Sequence, residues 1–143
     1  MQTGTLIFEK IIYLKEDFEL PNSMKPTLND IIISSASGSL KHLGKVAFVK
    51  ENIIDSVIGG FLSIIRAKDE FLAKALFYRL LSYKFRKFVA SLRDQNINNM
   101  NLTELKSFSL TLPKDLESFY KQALLKEKEL ERLENELLNL KNK

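Results

Sequence analysis

Asp30-Ile31-Ile32-Ile33-Ser34, then Ser35-Ala36-Ser37-Gly38-Ser39, then Gly44-Lys45-Val46-Ala47-Phe48-Val49, is the stretch on which the fold turns. Three consecutive isoleucines after a turn residue form a short, fully apolar strand core. The run of serines and glycine that follows is small and polar, and belongs in a surface loop. From Gly44 the strand pattern returns, with Val46 and Phe48 on one face and Ala47 and Val49 on the other. Upstream, Pro21, Asn22, Ser23 and Pro26 mark a loop, and Leu6 to Leu14 is an apolar, β-branched run around Glu9-Lys10 that reads as a strand or a pair of strands. Downstream, Ser56 to Ile65 is another apolar β run, in which Gly59-Gly60 predicts a bulge or a tight backbone approach. The first two thirds of the chain therefore predict a compact sheet with loops, to which helices are added.

Between Phe71 and Arg93 the period changes. Wound at about 100° per residue, Phe77, Leu81, Phe85, Phe88 and Leu92 share one quadrant and predict a core-facing stripe. Arg79, Arg86 and Arg93 are spaced by seven and fall nearly opposite that stripe, while Lys84 falls near it and has to snorkel. Asp94 to Asn101 is a polar loop rich in amides. Thr103 is placed to cap a short helix through Phe108, and Leu110-Thr111-Leu112-Pro113 reads as a brief extended segment.

The tail carries a heptad register. With Leu116 at a, the later a positions are Ala123, Leu130 and Leu137, and the d positions are Phe119, Lys126, Leu133 and Leu140. Only Lys126 interrupts the apolar seam, and Glu and Lys fill much of the rest. A lone helix leaves such a seam in water, so a two-helix coiled coil is expected, in cis or in trans.

The chain has 143 residues, room for one modest domain and an appendage. With 45% hydrophobic and 28% charged residues it is neither disordered nor of low complexity. It has no cysteine, hence no disulfide framework or thiolate metal site, which fits a reducing compartment. The longest uncharged stretches, Ile31–Leu40 and Ser56–Ile65, are too short to span a bilayer, and the N-terminus lacks the series of a signal peptide. A cytoplasmic protein without a membrane partner is expected. The net charge of +4 is unevenly divided: residues 1–112 hold 15 Lys/Arg against 11 Asp/Glu, and residues 113–143 hold seven of each. Lys74, Arg79, Lys84, Arg86, Lys87 and Arg93 occur with no acidic residue among them, a pattern that fits a polyanionic partner or a solvated helix face.

Catalytic signatures are missing from the sequence. His42 has no Cys or second His beside it, so no metal is expected. Ser34, Ser35, Ser37 and Ser39 lack the spaced glycines and Lys-Ser/Thr of a phosphate loop and form no nucleophile elbow. No dinucleotide turn is present, and Glu127, Glu129, Glu131, Glu134 and Glu136 read as helix surface. Neither a cofactor nor a self-contained enzyme is expected.

The order of these features is similar to that of a known family. Leu28-Asn29-Asp30-Ile31-Ile32-Ile33-Ser34 through Ser39, Leu43-Gly44-Lys45-Val46-Ala47-Phe48-Val49, Gly59-Gly60-Phe61-Leu62-Ser63-Ile64-Ile65-Arg66 and Phe71-Leu72 followed by Phe77-Tyr78-Arg79-Leu80-Leu81-Ser82-Tyr83-Lys84-Phe85-Arg86-Lys87 resemble successive stretches of type I restriction-modification specificity (S) subunits. Asn96-Ile97-Asn98-Asn99 followed by Leu102 and Leu105, and Leu110 to Pro113 before a long helix, complete the pattern from about residue 10 onward.

The resemblance implies a target recognition domain over residues 1–112, lacking the Trp-containing entry segment of the family, and a conserved coiled-coil helix over 113–143. It implies an α+β fold: a small mixed β-sheet recognition domain with an amphipathic helix, followed by a long C-terminal coiled-coil helix. A complete S subunit has two such domains and helices, so the expectation is a half-subunit or fragment that reads half of a bipartite target in double-stranded DNA. Modification (methyltransferase) and restriction subunits are its implied partners, with a second S half-subunit or another copy of this chain meeting the coiled coil. Gln95, Asn96, Asn98 and Asn99 have the donors and acceptors that read adenine, or else simply form a turn. Ser35, Ser37, Ser39 and His42 supply adaptable hydrogen bonds, and Lys41, Lys45, Arg79, Arg86 and Arg93 phosphate contacts, unless the arginine row faces another subunit or solvent. The expected coiled-coil interface is Leu116, Phe119, Ala123, Leu130, Leu133, Leu137 and Leu140. An assembly fragment without DNA readout, and a coiled-coil adaptor unrelated to restriction, are the competing readings.

Overall fold

The computed structural model describes residues 21–37, 41–53, 56–93 and 99–141. The Leu6–Leu14 run lies outside them. The three isoleucines form β1 (Ile31–Ser34), which is flanked by β2 (Val46–Phe48) and β3 (Leu62–Ile65) in the order β2-β1-β3. Both pairings are antiparallel, with Ile33 opposite Val46 on one side and Ser63 on the other. The sheet is thus antiparallel throughout its described strands, not mixed: β1 and β2 form a hairpin, and the chain then passes to the other edge of β1, where β3 runs antiparallel to it. Helices α1 (Glu70–Leu80), α2 (Tyr83–Arg93), α3 (Leu102–Ser107) and the long α4 (Leu116–Lys141) complete an α+β fold.

Strand alternation divides the apolar residues between two clusters. Ile31, Ile33, Val46 and Phe48 pack with Ala73, Phe77 and Leu80 of α1 and with Phe85, Val89 and Leu92 of α2. On the opposite face Ile32 joins Val49 and Ile58 in a smaller cluster, with Met24, Ile53 and Ile64 around it. The β-rich reading of Ser56–Ile65 is shortened to Leu62–Ile65. Gly59-Gly60 forms neither bulge nor close approach: a turn leads into β3, and nothing lies within 4 Å of a Cβ added at either glycine.

One amphipathic helix was expected over 71–93, and the structure has two. Ser82 makes the break. Its hydroxyl donates to the Arg79 carbonyl (2.6 Å) and accepts from the Phe85 amide (3.3 Å), closing α1 and capping α2. Phe77, Phe85 and Leu92 are buried as expected and Val89 joins them, whereas Leu81 and Phe88 are only partly buried. Lys84 lies exposed. Asp69 caps α1 through the Leu72 amide (2.8 Å). The cap of α3 is Asn101, not Thr103: Asn101 accepts from the Glu104 amide (2.9 Å) and Glu104 accepts from the Asn101 amide (2.6 Å).

The first half of α4 docks on α1 of the same chain. Tyr120 meets Phe71 edge-on and Phe119 meets Tyr78, with ring centroids 5.2 and 6.0 Å apart, and Ala123 is buried. Glu127 accepts from Lys74 (3.2 Å) and from the Tyr78 hydroxyl (2.7 Å). Beyond Glu127 every residue of α4 is exposed, including Leu130, Leu133, Leu137, Leu138 and Leu140. No helix of the described residues is long and apolar enough to cross a membrane.

Candidate nucleic-acid interface

Three backbone segments meet at the C-terminal end of β1. The β1–β2 turn is held first by apolar anchoring, because Leu43 is fully buried. The Ser34 amide donates to the Lys45 carbonyl (2.9 Å) and the Gly44 amide to the Ser34 carbonyl (2.8 Å). Gly44 has φ +69°, and a Cβ there would stand 2.7 Å from Val89 Cγ2, so the turn requires glycine on both conformational and steric grounds. Arg86 reaches from α2 to donate to the Leu43 carbonyl (2.8 Å). This arrangement leaves Lys41 and His42 exposed and Lys45 half-buried. Neither lysine forms an ion pair with a described residue.

The second segment is the serine stretch. The amides of Ser35 (3.0 Å) and Ala36 (3.1 Å) and the Ser35 hydroxyl (3.3 Å) all donate to the carbonyl of Phe61, just before β3. The Ser35 hydroxyl also accepts from Ser63 (2.9 Å), so it is occupied within the fold rather than open to a ligand. Ser37 is half-buried. The third segment is the end of the amide-rich loop. Asn99 pairs with Ala36 as an antiparallel bridge, the Met100 amide donates to the Ser35 carbonyl (2.6 Å), and Met100 is buried as the anchor. Asn99 itself is exposed.

The expected residues are therefore sorted. Ser35, Ser37, Lys41, His42, Lys45 and Asn99 come together around one end of the sheet. Ser39, Gln95, Asn96 and Asn98 lie outside the described residues, as does the side chain of Arg93. The expected arginine row does not form: the break at Ser82 puts Arg79 on α1 and Arg86 on α2, so their spacing of seven no longer describes one helix face. Both are half-buried, and Arg79 Nε is buried without a hydrogen-bond partner among the described residues. Lys74, counted with the basic segment, is buried against Glu127 and Phe48.

The sequence reading missed Phe61. It is 72% exposed at the same end of the sheet, and its backbone ties β3 to the serine stretch. The signal was the Gly59-Gly60 pair, which was read as part of a strand although it opens a turn that presents the next residue.

A second polar centre, at the other end of β1, is structural. Arg66 donates to Asp30 from Nε (2.9 Å) and Nη2 (2.7 Å), and the Thr27 amide donates to the same carboxylate (2.7 Å). Burial acts to raise the Asp30 carboxyl, but these hydrogen bonds and the guanidinium charge outweigh it and hold the group below its ordinary value. Burial, then the bond to Glu127 and its charge, push the Tyr78 phenol well above its usual range. Among the described residues no three His, Asp or Glu side chains converge as a metal site would need. No protein-family model, curated protein or solved structure matches the chain.

Proposed function

We propose that the chain is a non-catalytic DNA sequence-recognition subunit of a type I restriction-modification system, reading one half of a bipartite target in the cytoplasm together with modification and restriction subunits. One observation carries the reading. The serine stretch and the end of the amide-rich loop, the two segments with base-reading chemistry, are joined through Ala36–Asn99 and Ser35–Met100 beside two lysines without an ion pair among the described residues. The exposed amide of Asn99 reads adenine by paired donor and acceptor, and Lys41 and Lys45 neutralise phosphates. Ser35 and Arg86 hold the loops that carry these groups. The ordered resemblance of the sequence to specificity subunits adds the partners.

The test is the methylation specificity of the assembled complex. Alanine at Gln95, Asn96, Asn98 and Asn99 abolishes or relaxes specificity for one half-site; unchanged specificity rejects direct readout by this loop. A second reading, an assembly fragment held by a coiled coil without readout of its own, is favoured by the exposed leucines beyond Glu127. Footprinting of the purified chain with and without modification subunits separates the two, because only the first leaves a protected half-site that follows this chain.

A further inference from the structure

Every other described phenylalanine pairs with another aromatic ring, as Phe48 does with Phe77 and Phe119 with Tyr78; Phe61 has no ring partner among the described residues. It stands out from the fold instead, with Leu62 beside it partly exposed. Its position is nevertheless tightly defined. Three donors from Ser35 and Ala36 converge on its carbonyl, and the Leu62 amide donates to Gly59 (3.0 Å) to close the turn before it. The empty space at Gly59 and Gly60 lets a large partner approach along that side. In the sheet, Ser34 lies opposite Leu62 in one direction, and its amide bonds the Lys45 carbonyl in the other. Phe61 and Lys45 therefore flank the end of β1 at roughly two strand spacings, about 10 Å. The backbone of Phe61 thus lies at the end of the sheet shared with the serine stretch and, through the Ala36 bridge, with Asn99.

We propose that Phe61 is a specificity-determining residue that packs against the 5-methyl group of a thymine in the major groove, next to the base addressed by Asn99. The proposal rests on the DNA-recognition reading above. In the major groove thymine differs from the other bases in its methyl group, which polar side chains cannot recognise and an apolar one can. The amide of Asn99 hydrogen-bonds to a base edge but does not sense that methyl. Hydrogen bonds already hold the backbone that carries the ring, so the ordering cost on binding is confined to the side chain and the contact is expressed as discrimination.

The test uses the full chain, alone and with the modification subunits of its system, and a duplex enriched from a random-sequence pool. Each thymine of that duplex is replaced in turn by deoxyuridine, which removes only the methyl. For the wild type, one replacement lowers affinity about fourfold, the amount expected for one buried methyl. Phe61→Ala binds the thymine and deoxyuridine duplexes equally and melts at the wild-type temperature, and Phe61→Leu retains part of the discrimination. If the wild type enriches a sequence but Phe61→Ala shows the same response to every replacement, the assignment of Phe61 is wrong and DNA recognition stands. If no sequence is enriched in either setting, both fail. Loss of modification-subunit binding in Phe61→Ala with duplex affinity unchanged makes Phe61 a protein contact and overturns the proposal.

Discussion

The Lys74 ammonium lies 3.2 Å from each carboxylate oxygen of Glu127 and 4.2 Å from the centre of the Phe48 ring, with its side chain only 5% exposed. This contact joins the sheet core, α1 and α4. A charge so buried does not tolerate the loss of its partner, which makes α4 an integral part of the domain down to Glu127. Glu127→Ala should destabilise the chain by about 3 kcal/mol in urea unfolding, because it strands Lys74 in the interior. Combining it with Lys74→Met should recover most of the loss. An unchanged midpoint in Glu127→Ala would show that α4 is held by its aromatic contacts alone.

Asp30 makes stability depend on acid pH. Its carboxyl titrates below its ordinary value of 3.8 when folded, so its contribution is complete above that value and is lost as pH falls through the folded one. Urea midpoints measured from neutral pH down to about pH 2 should fall more steeply for the wild type than for Asp30→Asn. Parallel curves would assign the acid sensitivity to other carboxylates.

Gly44→Ala should lower stability by about 1–3 kcal/mol, combining the strain of positive φ with the 2.7 Å approach to Val89. Val89→Ala in the same chain removes the clash but not the backbone strain. The double variant should therefore show less than the summed loss of the two single ones, and a strictly additive result would exclude the contact.

Leu130→Glu with Leu137→Glu should leave the melting temperature within about 2 °C of wild type, since both side chains are exposed within the chain. The same pair should abolish association with the partner helix of the proposed coiled coil, read as hydrodynamic mass. Association that survives both changes would place the contact elsewhere.

Phosphate contacts are read from salt. If Lys41 and Lys45 neutralise phosphates, replacing either with alanine should lower the slope of log affinity against log salt by about one and weaken all sequences alike. Asn99→Ala should leave that slope unchanged and relax preference at one position. A slope insensitive to both lysines would move the backbone contact to another face.

Local chemistry determined much of this protein. The isoleucine run, the polar break after it and the alternation from Val46 to Phe48 specified two adjacent strands, because side-chain period and turn residues act over a few positions. The long apolar repeat from Leu116 onward likewise specified a continuous helix. Where the periodicity was apolar but interrupted, as at Ser82, it did not reveal the break: a hydroxyl able to cap α2 is also compatible with helix interior until its partners are known. Tertiary structure decided the rest. Only packing could divide one heptad seam between a half docked on α1 and an uncovered half, since the same register runs through both. Only packing could withdraw Lys74 and Arg86 from a basic segment by giving them Glu127 and the Leu43 carbonyl as partners. The pairing of Ala36 with Asn99 has no local signature, because backbone hydrogen bonds between distant segments depend on the sheet that brings them together.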